Sequence, residues 1–266
     1  MPHNNLPSSY PPVDSAAAQQ KSQSGSSARL ALAIPTLREA ENIPPLLKRV
    51  RAALDPTGIE YEIFVVDDDS RDGTDQIVNR IAKEDPRVHL LVRKGQRGLS
   101  GAILYGWEHT DADILGVMDA DLQHPPEILP ALVNSILAGH DLAIGSRYTK
   151  GARMKDWNPV RKLISFLAVV ATWPVQHPGL RAHDPMTGFF LVRRSAIEGI
   201  EFQRFGFKLL LEILVRARLG SIEEIPFDFG LRAWGTSKAN FNVARDYARL
   251  LVSLYSARFG SKRTDK

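Results

Sequence analysis

The 266-residue sequence contains no cysteine, which excludes a disulfide framework, a thiolate nucleophile and thiolate-held metal. Any metal must then be bound through oxygen or imidazole. Zero cysteine is also compatible with the cytosol. Long apolar runs are missing as well. The longest, residues 163–175, is thirteen residues and contains Pro174, whereas a membrane-spanning helix needs roughly 20. The polar N-terminus lacks the apolar stretch of a signal peptide. Phosphate-binding glycine loops are absent too, because Gly95, Gly98 and Gly101 have the wrong spacing for G-x-G-x-x-G and there is no Walker pattern.

What is present suits one soluble domain, or at most two, with a sizeable core: 44% hydrophobic and 24% charged residues. The formal net charge is +4 and the isoelectric point about 9.3. That balance admits phosphate-bearing partners such as nucleotides, nucleic acid or anionic lipid, without choosing among them. Residues 1–28 are rich in Ser, Pro and Gln and carry only Asp14 and Lys21 as charges. Such a composition buries too little apolar surface to order, so 1–28 reads as a disordered tail and the folded part begins at Arg29.

From Arg29 onward, short β-rich runs alternate with helical ones. Strands are expected at 30–35, 61–66, 88–92, 114–118 and 142–144; helices at 44–54, 74–82, 99–108 and 126–137. This alternation predicts an α/β fold, a mainly parallel sheet with helices on both faces. Ligands of such sheets sit at the carboxyl ends of the strands. The places to look for chemistry are therefore 35–41, 67–74, 119–123 and 145–147.

The first of these, Pro35-Thr36-Leu37-Arg38-Glu39, could be a plain loop before a capped helix. The second strand runs from Val66 into Asp67, Asp68, Asp69 and Asp72, where like charges repel unless donors or cations answer them. Capture of sugar hydroxyls or base nitrogens is one such answer. The fourth strand runs into Asp119-Ala120-Asp121-Leu122-Gln123-His124. If that segment is extended, Asp119, Asp121 and Gln123 present three oxygens to one point. Mg²⁺ or Mn²⁺ takes such ligands and completes its shell with water and substrate phosphates. His124 is expected to be structural rather than a base.

Taken in order, these segments resemble the inverting glycosyltransferases of the dolichol-phosphate mannose synthase type. Further matches are Gly98-Leu99…Ala102, Gly145-Ser146-Arg147, Met186-Thr187-Gly188-Phe189, Gly206-Phe207-Lys208…Leu211-Glu212 and Arg232…Gly235-Thr236-Ser237-Lys238. The resemblance covers about residues 30 to 240. It implies a nucleotide-sugar-binding, Rossmann-like (GT-A) catalytic domain over 29–240, followed by a basic amphipathic helix and tail at 241–266. By the same resemblance, Pro35, Thr36, Glu39, Val66, Asp67 and Asp68 hold the nucleoside. Asp119, Ala120, Asp121 and Gln123 hold diphosphate and sugar, with Mg²⁺ or Mn²⁺ on Asp119, Asp121 and Gln123. Arg147, Arg232 and Lys238 face the phosphates, and Arg161 and Ser165 lie near the acceptor phosphate. Leu37-Arg38 departs from the family's Tyr-Asn, which bears on nucleoside choice, and the C-terminal anchor of the fungal form has no counterpart here.

The implied reaction moves a hexose, with mannose from GDP-mannose as first choice, onto a polyprenyl or dolichyl phosphate with inversion. A UDP-sugar donor with glucose or a modified hexose is the alternative. A phosphate monoester is already largely ionised at neutral pH, its second pKa being about 6, so no protein base is required. The apolar acceptor implies peripheral attachment to the cytoplasmic face of a membrane, with a membrane-anchoring partner subunit as a further expectation. Lys150, Arg153, Lys155, Arg161 and Lys162 precede the apolar run 163–175, with Trp157 and Trp173 nearby, as in an interfacial helix. A core helix with solvated flanks would read the same way. A helix at 243–259 adds Arg245, Arg249 and Arg258. Two other classes were weighed: a sugar nucleotidyltransferase, which would normally show a glycine-rich phosphate loop, and a nucleic-acid binder, against which the strand-end carboxylates argue. No nucleic-acid partner is expected.

Overall fold

The structure is a computed structural model that describes residues 28–151, 159–204, 207–230 and 241–260. Nearly all of the tail expected at 1–28 lies outside the described residues.

The sheet has seven strands in the order β3-β2-β1-β4-β6-β5-β7. Its first five run Arg29–Thr36 (β1), Glu60–Asp67 (β2), Val88–Val92 (β3), Ile114–Val117 (β4) and Leu142–Ser146 (β5). Helices Ile43–Leu54 (α1), Thr74–Glu84 (α2), Leu99–Trp107 (α3) and Leu129–Leu137 (α4) connect them. The sequence pattern did not yield β6 (Phe190–Arg193), β7 (Ile222–Pro226) or the helices Arg194–Ile197 (α6) and Leu209–Arg216 (α7). β6 is antiparallel to both β4 and β5, while the other pairings are parallel.

The core follows from side-chain alternation. In β1, Leu30, Leu32 and Ile34 face α1 and α4, whereas Ala31 and Ala33 face α3 and α7. Both faces of the sheet are thereby buried, and each fully buried Leu or Ile contributes about 1.5–3 kcal/mol. α1 starts on Pro44 and Pro45, whose missing N–H groups would lack partners in a first turn anyway. Gly116 in β4 has a packing reason: a Cβ there would lie 2.7 Å from Leu191 Cδ2.

The last elements make a third packing layer. Pro159–Val170 (α5) starts and stops earlier than the apolar run 163–175, and turns follow it. Phe241–Gly260 (α8) contains the helix expected at 243–259. Leu250 and Leu254 of α8 pack with Leu211 and Val215 of α7. Tyr247 and Tyr255 donate to the carbonyls of Ala168 (2.5 Å) and Ala171 (3.0 Å). Those two hydroxyls answer carbonyls at the α5 C-terminus that have no helical partner. Phe166, Leu167, Trp173, Val252 and Phe259 remain exposed on and after these helices. Among the described residues no helix is long and apolar enough to cross a membrane.

Candidate active site

The acidic loops after β1 and β2 are answered from within. Thr36 ends β1, and its hydroxyl donates to Asp67 Oδ1 at 3.0 Å. Asp67 also accepts the Ser70 N–H at 2.9 Å and the Ser70 hydroxyl. Its carboxylate is buried and binds the end of β1 to the turn after β2. Asp68 accepts Arg93 Nε at 2.7 Å and the Gly98 N–H at 3.0 Å. Arg93 donates in turn to the Gly98 carbonyl at 3.0 Å. Burial raises the pKa of Asp72, but bonds from the Thr74 hydroxyl and from the N–H groups of Thr74 and Ala40 outweigh it, and the net shift is downward. Asp67 and Asp68 therefore both meet internal donors. Asp68 nevertheless lines the cavity described next, and Asp67 and Val66 do not.

These loops hold unusual backbone. Arg38, Asp69 and Arg71, together with Leu122 after β4, adopt φ of 58°, 52°, 55° and 62°. Among the described residues they are the non-glycine positions in left-handed conformation. Arg38 stands where the family has Asn, a residue that tolerates this region better.

A cavity of about 320 Å³ opens at the carboxyl ends of β1, β2 and β4. Pro35, Thr36 and Glu39 line one wall, Asp68 and the loop 97–99 another, and Asp119, Ala120 and Asp121 a third. The extended segment expected at 119–123 is not extended: β4 ends at Val117, and residues 120–121 form a turn. The turn still brings Asp119 and Asp121 to the cavity. It turns Gln123 aside, so that its amide Nε2 donates to Gly230 O at 3.2 Å while its backbone N–H donates to Asp121 Oδ1 at 3.1 Å. Gly188, just before β6, lies against Asp119, where a Cβ would come within 2.7 Å of Oδ1.

His124 is buried among Phe189, Phe227 and Phe229, with ring centroids 5.2–5.8 Å apart. Burial, aided by Arg147 and Lys208, lowers its pKa to about 3. The imidazole is therefore neutral, and its 3.6 Å approach to Asp119 Oδ2 is not an ion pair. That places His124 in the packing, as the sequence suggested.

Beyond Asp119 the charge changes sign. Arg147, at the end of β5, directs Nε and Nη2 onto Asp184 at 2.7 and 2.8 Å, and its own N–H reaches Asp184 at 3.0 Å. The guanidinium lies 5.3 Å from the Phe229 ring centroid and 5.7 Å from that of Tyr148. Arg147 is thus held by Asp184 rather than directed at phosphates alone. Asp184 is fully buried, and Glu224 of β7 holds its N–H at 3.0 Å. Tyr148 shares a hydrogen bond of 2.7 Å with Ser165 of α5. Lys208 donates to Met186 O at 2.9 Å. Burial and the nearby Arg147 lower its pKa to about 8, against the pull of Asp119 and Asp184. Arg232, Lys238 and the side chain of Arg161 lie outside the described residues.

Arg93, Arg97, Asp184 and Lys208 were not picked out as site residues from the sequence. Arg93 directly follows β3, so the strand-end rule could have flagged it. Asp184 carries no local signal, because the antiparallel strand it precedes was not evident.

Asp119 and Asp121 form an open pair of hard oxygen donors. Among the described residues no group of three or more Asp, Glu, His or Cys side chains converges into a closed metal cage. An open pair suits a Mg²⁺-like ion, which keeps waters and takes substrate phosphates as its remaining ligands.

A cavity and two carboxylates at the strand ends of a mainly parallel sheet are the arrangement expected of a transferase that binds a phosphorylated ligand. The profile of glycosyl transferase family 2 matches residues 31–200, and the chain belongs to that family: it is a glycosyltransferase. It is 41% identical over 227 residues to the dolichol-phosphate mannosyltransferase of Pyrococcus furiosus, covering 85% of this chain and 63% of that relative's length. It is 37% identical to the enzyme of the same name from Saccharomyces cerevisiae, covering 86% and 87% of the two chains. The Mycosarcoma maydis relative is 36% identical, covering 92% and 88%. Glucosyl-3-phosphoglycerate synthase from Mycobacterium tuberculosis, solved with Mn²⁺, UDP and glucosyl-3-phosphoglycerate, has the same fold. It superposes with a TM-score of 0.62 at 20% identity over 88% of this chain and 80% of that one.

Proposed function

We propose that this protein transfers mannose from GDP-mannose to a polyprenyl phosphate, dolichyl phosphate among them, with inversion at the anomeric carbon. The observation that carries this reading is the junction at Asp119. Two carboxylates, Asp119 and Asp121, line a cavity of about 320 Å³ at the strand ends, and the cations Arg147 and Lys208 lie near Asp119. The names of the three relatives supply the sugar and the acceptor class.

Pro35 and Glu39 border the nucleoside, and Asp119 and Asp121 would hold Mg²⁺ or Mn²⁺. Gln123, on the same turn, would complete the ligand set only by releasing its bond to Gly230. When bound, the metal ion neutralises charge developing on the departing nucleoside diphosphate. An acceptor phosphate oxygen attacks the anomeric carbon from the face opposite the leaving group. The carbon–oxygen bond to the diphosphate breaks with its electron pair going to the nucleotide. Arg147, fixed by Asp184, and the cations Arg232 and Lys238 stabilise the phosphates on either side. Ser165, held by Tyr148, and Arg161 border the acceptor phosphate. Phe166, Leu167 and Trp173 on and after α5 contact the bilayer that carries the lipid.

Product analysis with a panel of GDP-mannose, UDP-glucose and a short polyprenyl phosphate tests the proposal. Mannosyl phosphopolyprenol should form, chelation of divalent metal should stop it, and the unphosphorylated polyprenol should not react. Equal transfer to that alcohol would overturn the mechanism.

A further inference from the structure

Resting on the reading above, we propose that Lys208 is an acceptor-binding residue, whose ammonium group holds the phosphate of the lipid acceptor beside Arg147. Asp119 lines the donor cavity, together with residues of the β1, β2 and β4 ends and loop 97–99, and Lys208 and Arg147 stand outside its lining. Both nonetheless lie near enough to Asp119 to feel its charge. The loop to which Lys208 is tethered passes through Met186 and carries Gly188 against Asp119. The ammonium group therefore stands next to the place where the donor's sugar must meet its nucleophile.

Its electrostatic situation favours an anion. Lys208 has three N–H donors, and one of them is used, on a neutral carbonyl. Among the described residues Lys208 makes no ion pair. Of the two acids it senses, Asp184 is already bound through both oxygens by Arg147, and Asp119 faces the metal position. A half-buried ammonium beside a guanidinium is unfavourable until a further negative charge arrives. A phosphate monoester dianion, entering past Ser165 and Arg147, supplies that charge and accepts the two remaining N–H groups.

Lys208→Gln removes the charge but can still bond Met186 O, and Lys208→Arg keeps the charge. Binding of farnesyl phosphate by isothermal titration should weaken about tenfold to a hundredfold in Lys208→Gln, the range of a charge-assisted hydrogen bond. Lys208→Arg should recover most of it. Binding of GDP with Mn²⁺ should stay within about twofold, and the acceptor KM should rise while the donor KM does not. Unchanged farnesyl phosphate binding in Lys208→Gln, or a loss of GDP binding as large as that of the acceptor, overturns the assignment. If the wild type binds farnesyl phosphate through Lys208 but transfers no mannose, the proposed function fails and the assignment stands. If the wild type binds no farnesyl phosphate, both fail.

Discussion

On the β1–β2 side of the cleft, Asp67, Asp68 and Asp72 all accept hydrogen bonds from the chain's own donors. Across the cleft, Lys208 gives a single bond to a carbonyl, and exposed Phe166, Leu167 and Trp173 lie on and after α5. The first region is closed on itself: its charges fix loop shape, and the left-handed residues are held by that network. The second keeps charge and apolar surface that the fold leaves uncompensated. On the proposed reading, the donor side is internally bonded, while the acceptor side keeps groups for what binds to it.

The sharpest way to break this comparison is at the boundary between the two. Asp119→Ala or Asp121→Ala should lower transfer about 10³-fold, the scale of losing charge stabilisation at a leaving group. Loss of labelled lipid product measures it, and retention of more than a tenth of the activity would remove the pair from the reaction. Within the donor half, Asp68→Ala leaves Arg93 buried without its partner and should destabilise the fold by about 3–5 kcal/mol in urea unfolding. Asp69→Ala, whose partner Arg71 is exposed, should change stability by less than about 1 kcal/mol. Equal effects would deny that the loop carboxylates differ in structural weight.

A milder effect is expected with acid, away from the cleft. Hydrogen bonds from Arg87 lower Asp85 from 3.8 to about 2. A depressed carboxylate stabilises the fold above its unfolded pKa, so this contribution is whole above pH 3.8 and is lost as pH falls towards 2. Arg87→Ala should flatten that limb of the stability–pH curve. One change is expected to be a gain: Arg38→Asn relieves a left-handed arginine and should stabilise by about 1 kcal/mol, seen as a higher urea midpoint with unchanged slope.

The donor half was legible in sequence because its signals are local. Alternating β and α runs located β1 to β5 closely, and the strand-end rule found Pro35, Glu39, Asp119 and Asp121. One inference there failed for a local reason: Leu122 takes a left-handed turn, so Asp119 to Gln123 is not extended. Arg93 and Ser70, which answer Asp68 and Asp67, carried no sequence signal as their partners. The acceptor half was far less legible. β6 is four residues long and β7 holds two glutamates with no apolar alternation. The Arg147–Asp184 pair spans 37 residues, and no spacing rule links such positions.

One consequence follows from the reversed β6. An antiparallel strand enters the sheet from the end where its parallel neighbours leave it, so the segment before β6 is delivered to the reacting edge without a crossover helix. That segment, from Arg147 to Phe189, begins and ends at the same rim. Changes of length there need not disturb the parallel strands, because the segment returns to the rim it left. On the proposed reading, a single backward strand thus places acceptor contacts on a segment separable from the donor scaffold.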